Sequence, residues 1–254
     1  DAPENFWASG CFGLGPPPNA TASSVNRTID GGATFVRLGD APPADLVSVD
    51  FSDPQRGTLL VGNRGQPKVF LSTDAGVTWS DISAGLPTSL GEASFPQVVD
   101  ARTFLLGSHK GDRGDAASPG VFRTTDAGNT WERVFDEGVS GPPLVSADGG
   151  IYWVLDDGGV LAGRGPAGGG RRGRIVELPD RTWLSMGVEQ MVVSRDQGTS
   201  WQTVGPSLPR DPSGFTYSPI RKAVYVWQNY CDFQAGPNPV VAESIMRLDL
   251  DLGP

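Results

Sequence analysis

Short apolar stretches alternate with polar turns along most of the chain, and this pattern predicts many short strands. Val69-Phe70-Leu71 and Val121-Phe122 are two such stretches, and each leads directly into a turn that contains Asp and Gly. Alternating runs that are broken by a Gly-containing turn are typical of β-hairpins. No apolar run reaches the length of a membrane-spanning helix. The sequence therefore predicts an all-β chain with no membrane span.

Four copies of one eight-residue pattern mark these turns. The pattern reads hydroxyl, any, Asp, any, Gly, any, Thr or Ser, aromatic. It occurs at residues 28–35, 72–79, 124–131 and 194–201. A self-similar unit that recurs every several tens of residues indicates a repeat architecture.

The aspartates of the pattern are predicted to be structural, and they are Asp30, Asp74, Asp126 and Asp196. An Asp carboxylate can accept hydrogen bonds from backbone N–H groups one to three residues ahead. The Gly two positions later can adopt a positive φ at little steric cost. Four identical catalytic centres in one small protein would be unusual, whereas four identical turns are what a repeat requires.

These stretches resemble the Asp-box of the sialidase-type (BNR) repeat. That motif occurs in sialidases, other glycoside hydrolases, sortilin-like receptors and photosystem assembly factors of the Ycf48 type. The resemblance implies a β-propeller in which each box joins the two outer strands of a four-stranded blade, away from the substrate site. We therefore expect residues 1–254 to form a single propeller domain.

The spacing of the boxes predicts the number of blades. Their Asp residues are 44, 52 and 70 residues apart, and a four-stranded blade takes roughly 40–50 residues. One blade per box, one without a box in the last long step and one after the final box give six blades, with five as the alternative. The boxless blade is predicted to use strands at 144–145, 151–155, 159–161 and 174–176.

The two cysteines offer a test of ring closure. Cys11 follows the predicted strand 6–10, and Cys231 stands at the equivalent place in the last blade. A ring that closes between its first and last blades would make them neighbours, so we predict a Cys11–Cys231 disulfide, with two free thiols as the alternative. Disulfides persist in oxidising compartments, and the sequence begins at Asp1 without a hydrophobic leader. A processed chain that is secreted or periplasmic is expected.

Charge and composition restrict the partners. The net charge is −9, which argues against nucleic-acid binding, because phosphate contacts need a basic face. His109 is the only histidine and no EF-hand spacing is present, so we predict no metal site and no cofactor. The Gly- and Arg-rich stretch 163–174 is either an anion-binding loop or a surface excursion. We expect a monomer that binds a glycan or a protein.

Propellers of the resembled type bind ligands on the face opposite the boxes. In this chain that face is predicted to carry the loops 62–67, 107–120, 156–159 and 228–239. The ligand-binding candidates on these loops are Arg64, His109, Arg113 and Tyr230. The catalytic candidates are Asp112, Asp115, Asp156 and Asp232, because glycoside hydrolysis uses two carboxylates about 5–9.5 Å apart. The alternative is that each is an ordinary solvated loop residue.

Two functions are compatible with the sequence. A non-catalytic binding or assembly module is favoured, because the chain has one histidine and lacks the G-x-S-x-G element of serine hydrolases. The alternative is a glycoside hydrolase related to sialidases that uses the loop carboxylates. The Arg-Ile-Pro element of sialidases is absent, and its nearest match, Arg174-Ile175-Val176, lies in another part of the chain.

Overall fold

The computed structural model describes most of the chain in segments. The described residues are 6–9, 25–30, 33–44, 46–63, 66–88, 90–109, 119–156, 160–161, 174–187, 189–208, 212, 214–219, 221–231 and 241–249. For residues 6–9, 160–161, 228–231 and 241–244 the description is limited to the backbone. The chain divides into two compact units, Asp1–Val139 and Ser140–Pro254. A single domain over the whole chain stays a prediction.

The first unit contains three antiparallel sheets that follow one another along the chain. The strands are β1 (Phe6–Ser9), β2 (Val25–Thr28), β3 (Val36–Arg37), β4 (Leu46–Val49), β5 (Leu59–Gly62), β6 (Val69–Ser72), β7 (Ser80–Asp81), β8 (Phe95–Val98), β9 (Phe104–Ser108), β10 (Gly120–Thr124) and β11 (Glu132–Phe135). The strand orders are β1-β2-β3, β4-β5-β6-β7 and β8-β9-β10-β11. A single 3₁₀ turn, Ser83–Gly85, follows β7.

The second unit also contains three antiparallel sheets that follow one another along the chain. Its strands are β12 (Leu144–Val145), β13 (Ile151–Val154), β14 (Val160–Leu161), β15 (Ile175–Glu177), β16 (Trp183–Met186), β17 (Met191–Ser194), β18 (Gln202–Val204), β19 (Gly214–Ser218), β20 (Ala223–Cys231) and β21 (Val241–Leu248). They form sheets in the orders β12-β13-β14, β15-β16-β17-β18 and β19-β20-β21.

Each four-stranded sheet is an up-and-down meander, which gives its two ends different connections. The connection between the first and second strands and the repeat turn between the third and fourth lie at one end, which we call the turn end. The connection between the second and third strands lies at the other, the loop end. The two turns at the turn end contact each other: Ala75 N donates to Gly57 O at 2.9 Å, and Ala127 N donates to Arg102 O at 2.9 Å.

The core lies on the middle strands of each sheet. All four residues of β5 and of β17 are buried, whereas both residues of β7 are exposed. In the first unit the buried cluster includes Leu60, Phe104 and Phe122. In the second it includes Leu184 and Phe215. Removing this apolar area from water is the main favourable contribution to folding, and the fourth strands add little of it.

The all-β prediction is confirmed, but the predicted blade count is not. Six four-stranded blades, or five, were expected, yet among the sheets formed by the described residues three have four strands and three have three. The short sheets at the two ends of the chain, β1–β3 and β19–β21, adjoin residues outside the described set. Closure between the first and last blades stays a prediction.

One strand assignment was wrong. Residues 174–176 were expected to be the fourth strand of the boxless blade, but β15 is the first strand of the next sheet, where Val176 pairs with Leu184. The turn between β15 and β16 is closed by the bond from Leu178 N to Thr182 O at 2.8 Å. A hairpin this short costs less chain entropy than pairing with β14 across residues 162–173.

Two repeat turns of the first unit attach their sheets to the segment that leaves the sheet before. Trp79 Nε1 donates to Leu38 O at 3.3 Å and to Gly76 O at 3.1 Å. Gly76 has a φ of +89°, and a Cβ there would lie 2.7 Å from Leu38 Cδ1. The arrangement recurs one sheet later, where Trp131 Nε1 donates to Ile82 O at 3.2 Å and Gly128 packs against Ile82.

We expect Trp79→Ala to destabilise the protein by about 2–4 kcal/mol, near the range for emptying a buried aromatic site. The indole is partly buried and packs against the buried cluster of Val25, Ala41, Ala44 and Val61. Trp79→Phe keeps most of the packing and loses the indole hydrogen bonds, so about 1 kcal/mol is expected. The free energy of unfolding is measured by urea denaturation. Val77→Ala, at a side chain that is 65% exposed, is the matched control. A loss below about 1 kcal/mol for Trp79→Ala contradicts the attachment.

Candidate functional site

The four repeat aspartates accept the same set of hydrogen bonds. At Asp74, Oδ1 accepts from Ser72 Oγ at 2.8 Å and from Thr78 N at 2.9 Å, and Oδ2 accepts from Thr78 Oγ1 at 2.6 Å. The equivalent bonds at Asp30, Asp126 and Asp196 measure 2.6 to 2.9 Å. Each carboxylate therefore serves its own turn with both oxygens.

The backbone donor lies four residues ahead of each Asp rather than the one to three that the sequence suggested. The reason is a pair of successive left-handed residues. Ala75 has a φ of 59° and Gly76 of 89°, and the pair recurs as Ala127 at 61° and Gly128 at 90°. Two such residues bring the fourth residue back onto the carboxylate, and the non-Gly member is unusual in this region.

These hydrogen bonds stabilise the ionised carboxylates. The pKa of Asp74 falls from its ordinary 3.8 to about 2, chiefly because of the Thr78 hydroxyl and then the Thr78 N–H. The pKa of each of the other three repeat aspartates is also lowered to about 2 by the equivalent donors. A general acid at neutral pH needs a raised pKa instead. The repeat carboxylates are unsuited to that role.

The loop end of the first unit holds an imidazole–carboxylate pair. His109, the residue after β9, places Nε2 against Oε1 of Glu92, which lies in the connection between β7 and β8. The side chains of His109 and Glu92 are 22% and 15% exposed. Ser94 Oγ is buried and donates to the same Glu92 oxygen at 2.6 Å. Such a group can exchange hydrogen bonds or a proton with a ligand.

The backbone around this pair is well fixed. Ala93 N lies between the carbonyl oxygens of Asn63 at 3.2 Å and Gln66 at 3.1 Å, which ties the Glu92 segment to the β5–β6 connection. On the other side, Ser108 O accepts from Val139 N at 3.1 Å. A Cβ at Gly62 would lie 2.1 Å from Ala93 O, so this close approach requires glycine. The pair is therefore largely preformed.

Glu92 was not predicted from the sequence, because this residue belongs to no motif and lies between two sheets. One signal was available: Glu92 is the only charged residue in the stretch 82–98. An isolated charge among apolar and small residues must find a polar partner when the segment packs. Here that partner is His109.

Of the other candidates, the structure describes Asp156 and Tyr230. Asp156 is exposed and lies just beyond β13 at the loop end of its sheet in the second unit. Tyr230 was expected in a loop, and this was wrong: it belongs to β20 and pairs with Ala242, because the β20–β21 register runs on as far as Cys231 opposite Val241. The remaining candidates lie outside the described residues, and they are Arg64, Asp112, Arg113, Asp115 and Asp232. Cys11 lies outside them as well, so the disulfide stays a prediction.

A shallow cleft of about 380 Å³ lies near the loop end of β6 and β7. Its apolar surface comes from Pro67, Leu86 and Pro87. Lys68 Nζ and Asp81 Oδ2 form an ion pair across it at 2.6 Å, with both side chains more than 40% exposed. An ion pair this exposed contributes little to stability, so it can open without much cost.

Within the described segments, no three His, Cys, Asp or Glu side chains are grouped so that they could hold a metal ion. Nor does any helix in that part of the chain combine the length and apolar character that crossing a membrane requires.

A scan of the sequence against protein-family models finds no match, and a search among curated proteins also finds none. Solved structures do match. YCF48 bound to a D1 peptide aligns with a TM-score of 0.57 at 16% identity, over 89% of this chain and 72% of that one. A gluconolactonase from Xanthomonas campestris aligns with a TM-score of 0.55 at 15% identity, over 89% and 78%. The chain has the β-propeller fold.

A third match adds nothing to that conclusion. A GH74 xyloglucanase from Xanthomonas campestris aligns over 96% of this chain and 34% of its own, at 20% identity, with a TM-score of 0.39. Similarity this weak carries no argument about the propeller's activity. At these identities the first two matches establish the fold and leave the function open.

The lowered pKa values predict how stability depends on pH. Each repeat carboxyl has a pKa of about 2 in the folded chain against an ordinary 3.8. The contribution of each ionised carboxylate to the free energy of unfolding is therefore complete above about pH 4 and is lost as the pH falls towards 2. Asp53, Asp81, Asp100 and Asp148, whose pKa values are also lowered, act in the same direction. We expect the melting temperature to fall steeply across this window.

Asp74→Asn isolates one such contribution. The variant should melt lower than the parent chain above about pH 4, and its melting temperature should fall less steeply between pH 4 and 2. Asp136→Asn, at an exposed side chain outside the repeat turns, is the matched control. Parallel curves for the parent chain and Asp74→Asn down to pH 2 would show that the turn does not depress this pKa.

Proposed function

We propose that the protein is a non-catalytic β-propeller binding or assembly module that takes a glycan or a protein segment at its loop end. The observation that carries the proposal is the contrast between the two ends of the sheets. At the turn end each repeat carboxylate accepts hydrogen bonds from its own turn with both oxygens. At the loop end His109 and Glu92 form a preformed and partly exposed polar pair.

The chemistry of the pair suits recognition. Imidazole and carboxylate together offer both hydrogen-bond donors and acceptors, as sugar hydroxyls and peptide groups require. The pair lies on fixed backbone, so little ordering entropy is lost when a ligand binds. A structural neighbour, YCF48, carries a bound D1 peptide, which is consistent with a peptide as one ligand class.

We take the four repeats to be Asp-boxes and the protein to be secreted or periplasmic, with Cys11 joined to Cys231. Alkylation without reductant followed by mass spectrometry decides the last point. Two alkylated cysteines would contradict the disulfide and remove the support it gives to export.

A hydrolase is the second candidate, and one observation favours it. An imidazole held by a carboxylate can act as a general base towards water, and His109 lies against Glu92 in this manner. A structural neighbour is a gluconolactonase. A glycoside hydrolase would instead draw its two carboxylates from Asp112, Asp115, Asp156 and Asp232.

The deciding experiment has a binding arm and a turnover arm. Labelled protein is applied to a glycan array and to an immobilised peptide library, and unlabelled protein is assayed with chromogenic glycosides and a lactone. The binding module predicts saturable binding to one ligand class without turnover. Turnover that is abolished by Asp156→Asn or Asp232→Asn would establish the glycoside hydrolase. Turnover that is abolished by His109→Gln would establish a hydrolase with His109 as its general base.

Variants at the pair locate the site. We expect His109→Gln and Glu92→Gln each to weaken binding of the identified ligand by at least about tenfold, which corresponds to one charge-assisted hydrogen bond. Val99→Ala, at an exposed residue at the turn end of the same sheet, is the matched control. Because the chain has a single histidine, its imidazole NMR signals report the site directly. Binding that neither shifts these signals nor responds to either variant contradicts a loop-end site.

A further inference from the structure

The outer edge of the last described sheet differs from the edges of the four-stranded sheets. In those sheets the third strand is covered by a fourth, and β17, which is covered by β18, is buried at all four residues. β21 is also a third strand, and within the described chain it has β20 on one side and no sheet partner on the other. Its residue Ile245 is 73% exposed.

An edge of this kind can pair with another strand. β21 runs for eight residues, Val241–Leu248, and all eight pair with β20 in an unbroken register. A long regular edge strand with an exposed apolar residue presents free backbone groups to a second chain. Natural monomers usually interrupt such an edge with a bulge, a proline or a lysine, and Val241–Leu248 contains neither Pro nor Lys.

The sequence of β21 is self-complementary about Ile245. An antiparallel register centred on Ile245 sets position 243 of one copy opposite position 247 of the other. The chain has Glu at the first position and Arg at the second. Such a register therefore creates two opposite-charge cross-strand pairs around a central apolar pair, and each of these favours pairing.

Arg247 is available to form such a cross-strand pair. It is exposed and pairs with Asp249, with Nε 3.0 Å and NH2 2.8 Å from Asp249 Oδ1. Both side chains are at least half exposed, so the pair contributes little and can be replaced. Ile245 and Arg247 are two residues apart on one strand, and therefore lie on the same face of the sheet.

We propose that two copies of the chain associate through their β21 edges, in the antiparallel register centred on Ile245. The two sheets then continue across a two-fold axis, which is the commonest symmetry of soluble homo-oligomers. This inference replaces the monomer that the sequence analysis expected. It uses none of the residues of the His109–Glu92 pair.

Sedimentation equilibrium of the full chain tests the association. Measurements between about 1 and 200 µM cover micromolar dissociation constants, and salt at about 0.15 M limits the repulsion between two chains of net charge −9. We expect a reversible monomer–dimer equilibrium. A monomer at every concentration would overturn the proposal and would indicate that another segment of the same chain covers the edge.

Charge reversal tests the register. Arg247→Glu sets like charges opposite each other twice and should raise the dimer dissociation constant at least about tenfold. The double variant Glu243→Arg/Arg247→Glu restores both pairs in reversed order and should return the constant to within about threefold of the parent value. If Arg247 acted only within its own chain, the double variant would not restore the dimer dissociation constant.

Ile245→Lys should abolish dimerisation, because a charged residue would face its own copy at the two-fold axis. Val77→Lys, at a comparably exposed apolar side chain in a repeat turn, is the matched control and should leave the equilibrium unchanged. Circular dichroism confirms that each variant is folded. A dimer that persists in both Ile245→Lys and Arg247→Glu overturns the proposed interface.

Discussion

The hydrogen bonds around the repeat carboxylate are the constraint on which the described structure depends. Without them the turn between the third and fourth strands would lose the bonds that draw the chain back onto the carboxylate after its two left-handed residues. With them the chain reverses tightly, and the indoles of Trp79 and Trp131 lie within hydrogen-bonding distance of the segment that leaves the preceding sheet. One side chain thus contributes to the shape of the turn and, through the turn, to the attachment of the β4–β7 and β8–β11 sheets. This explains why the turn repeats while the strands around it vary.

Commitment of these carboxylates to structure also explains how the two ends of the sheets can differ. Both oxygens of Asp74 accept hydrogen bonds from the turn, which holds the group ionised and occupied. The loop end has no such repeated device in the described residues. Its polar groups, including His109 and Glu92, come from segments of unrelated sequence. A repeat protein can therefore vary this end freely without disturbing the turns that hold the sheets.

The sequence was sufficient where the local signal and the tertiary contacts agreed. The stretches Val69-Phe70-Leu71 and Val121-Phe122 lie within β6 and β10, since alternating apolar positions and a repeat turn indicate the same hairpins. The prediction failed at 174–176, where an apolar run was assigned by spacing although a short turn paired it forward instead. The prediction that Tyr230 lies in a loop failed for a related reason, because nothing in the sequence signals how far a long hairpin continues. Glu92 was missed because its importance arises only from the contact with His109.

The contact between a repeat glycine and the residue that leaves the preceding sheet has a consequence for how such a chain can be cut and rejoined. Gly76 fits against Leu38, and Gly128 against Ile82. The interlocking piece therefore begins after the last strand of one sheet and ends at the repeat turn of the next, so it is offset from the sheet itself. Duplication or grafting at sheet boundaries would separate these partners. A shuffled or designed array should keep each connecting segment together with the glycine that follows it.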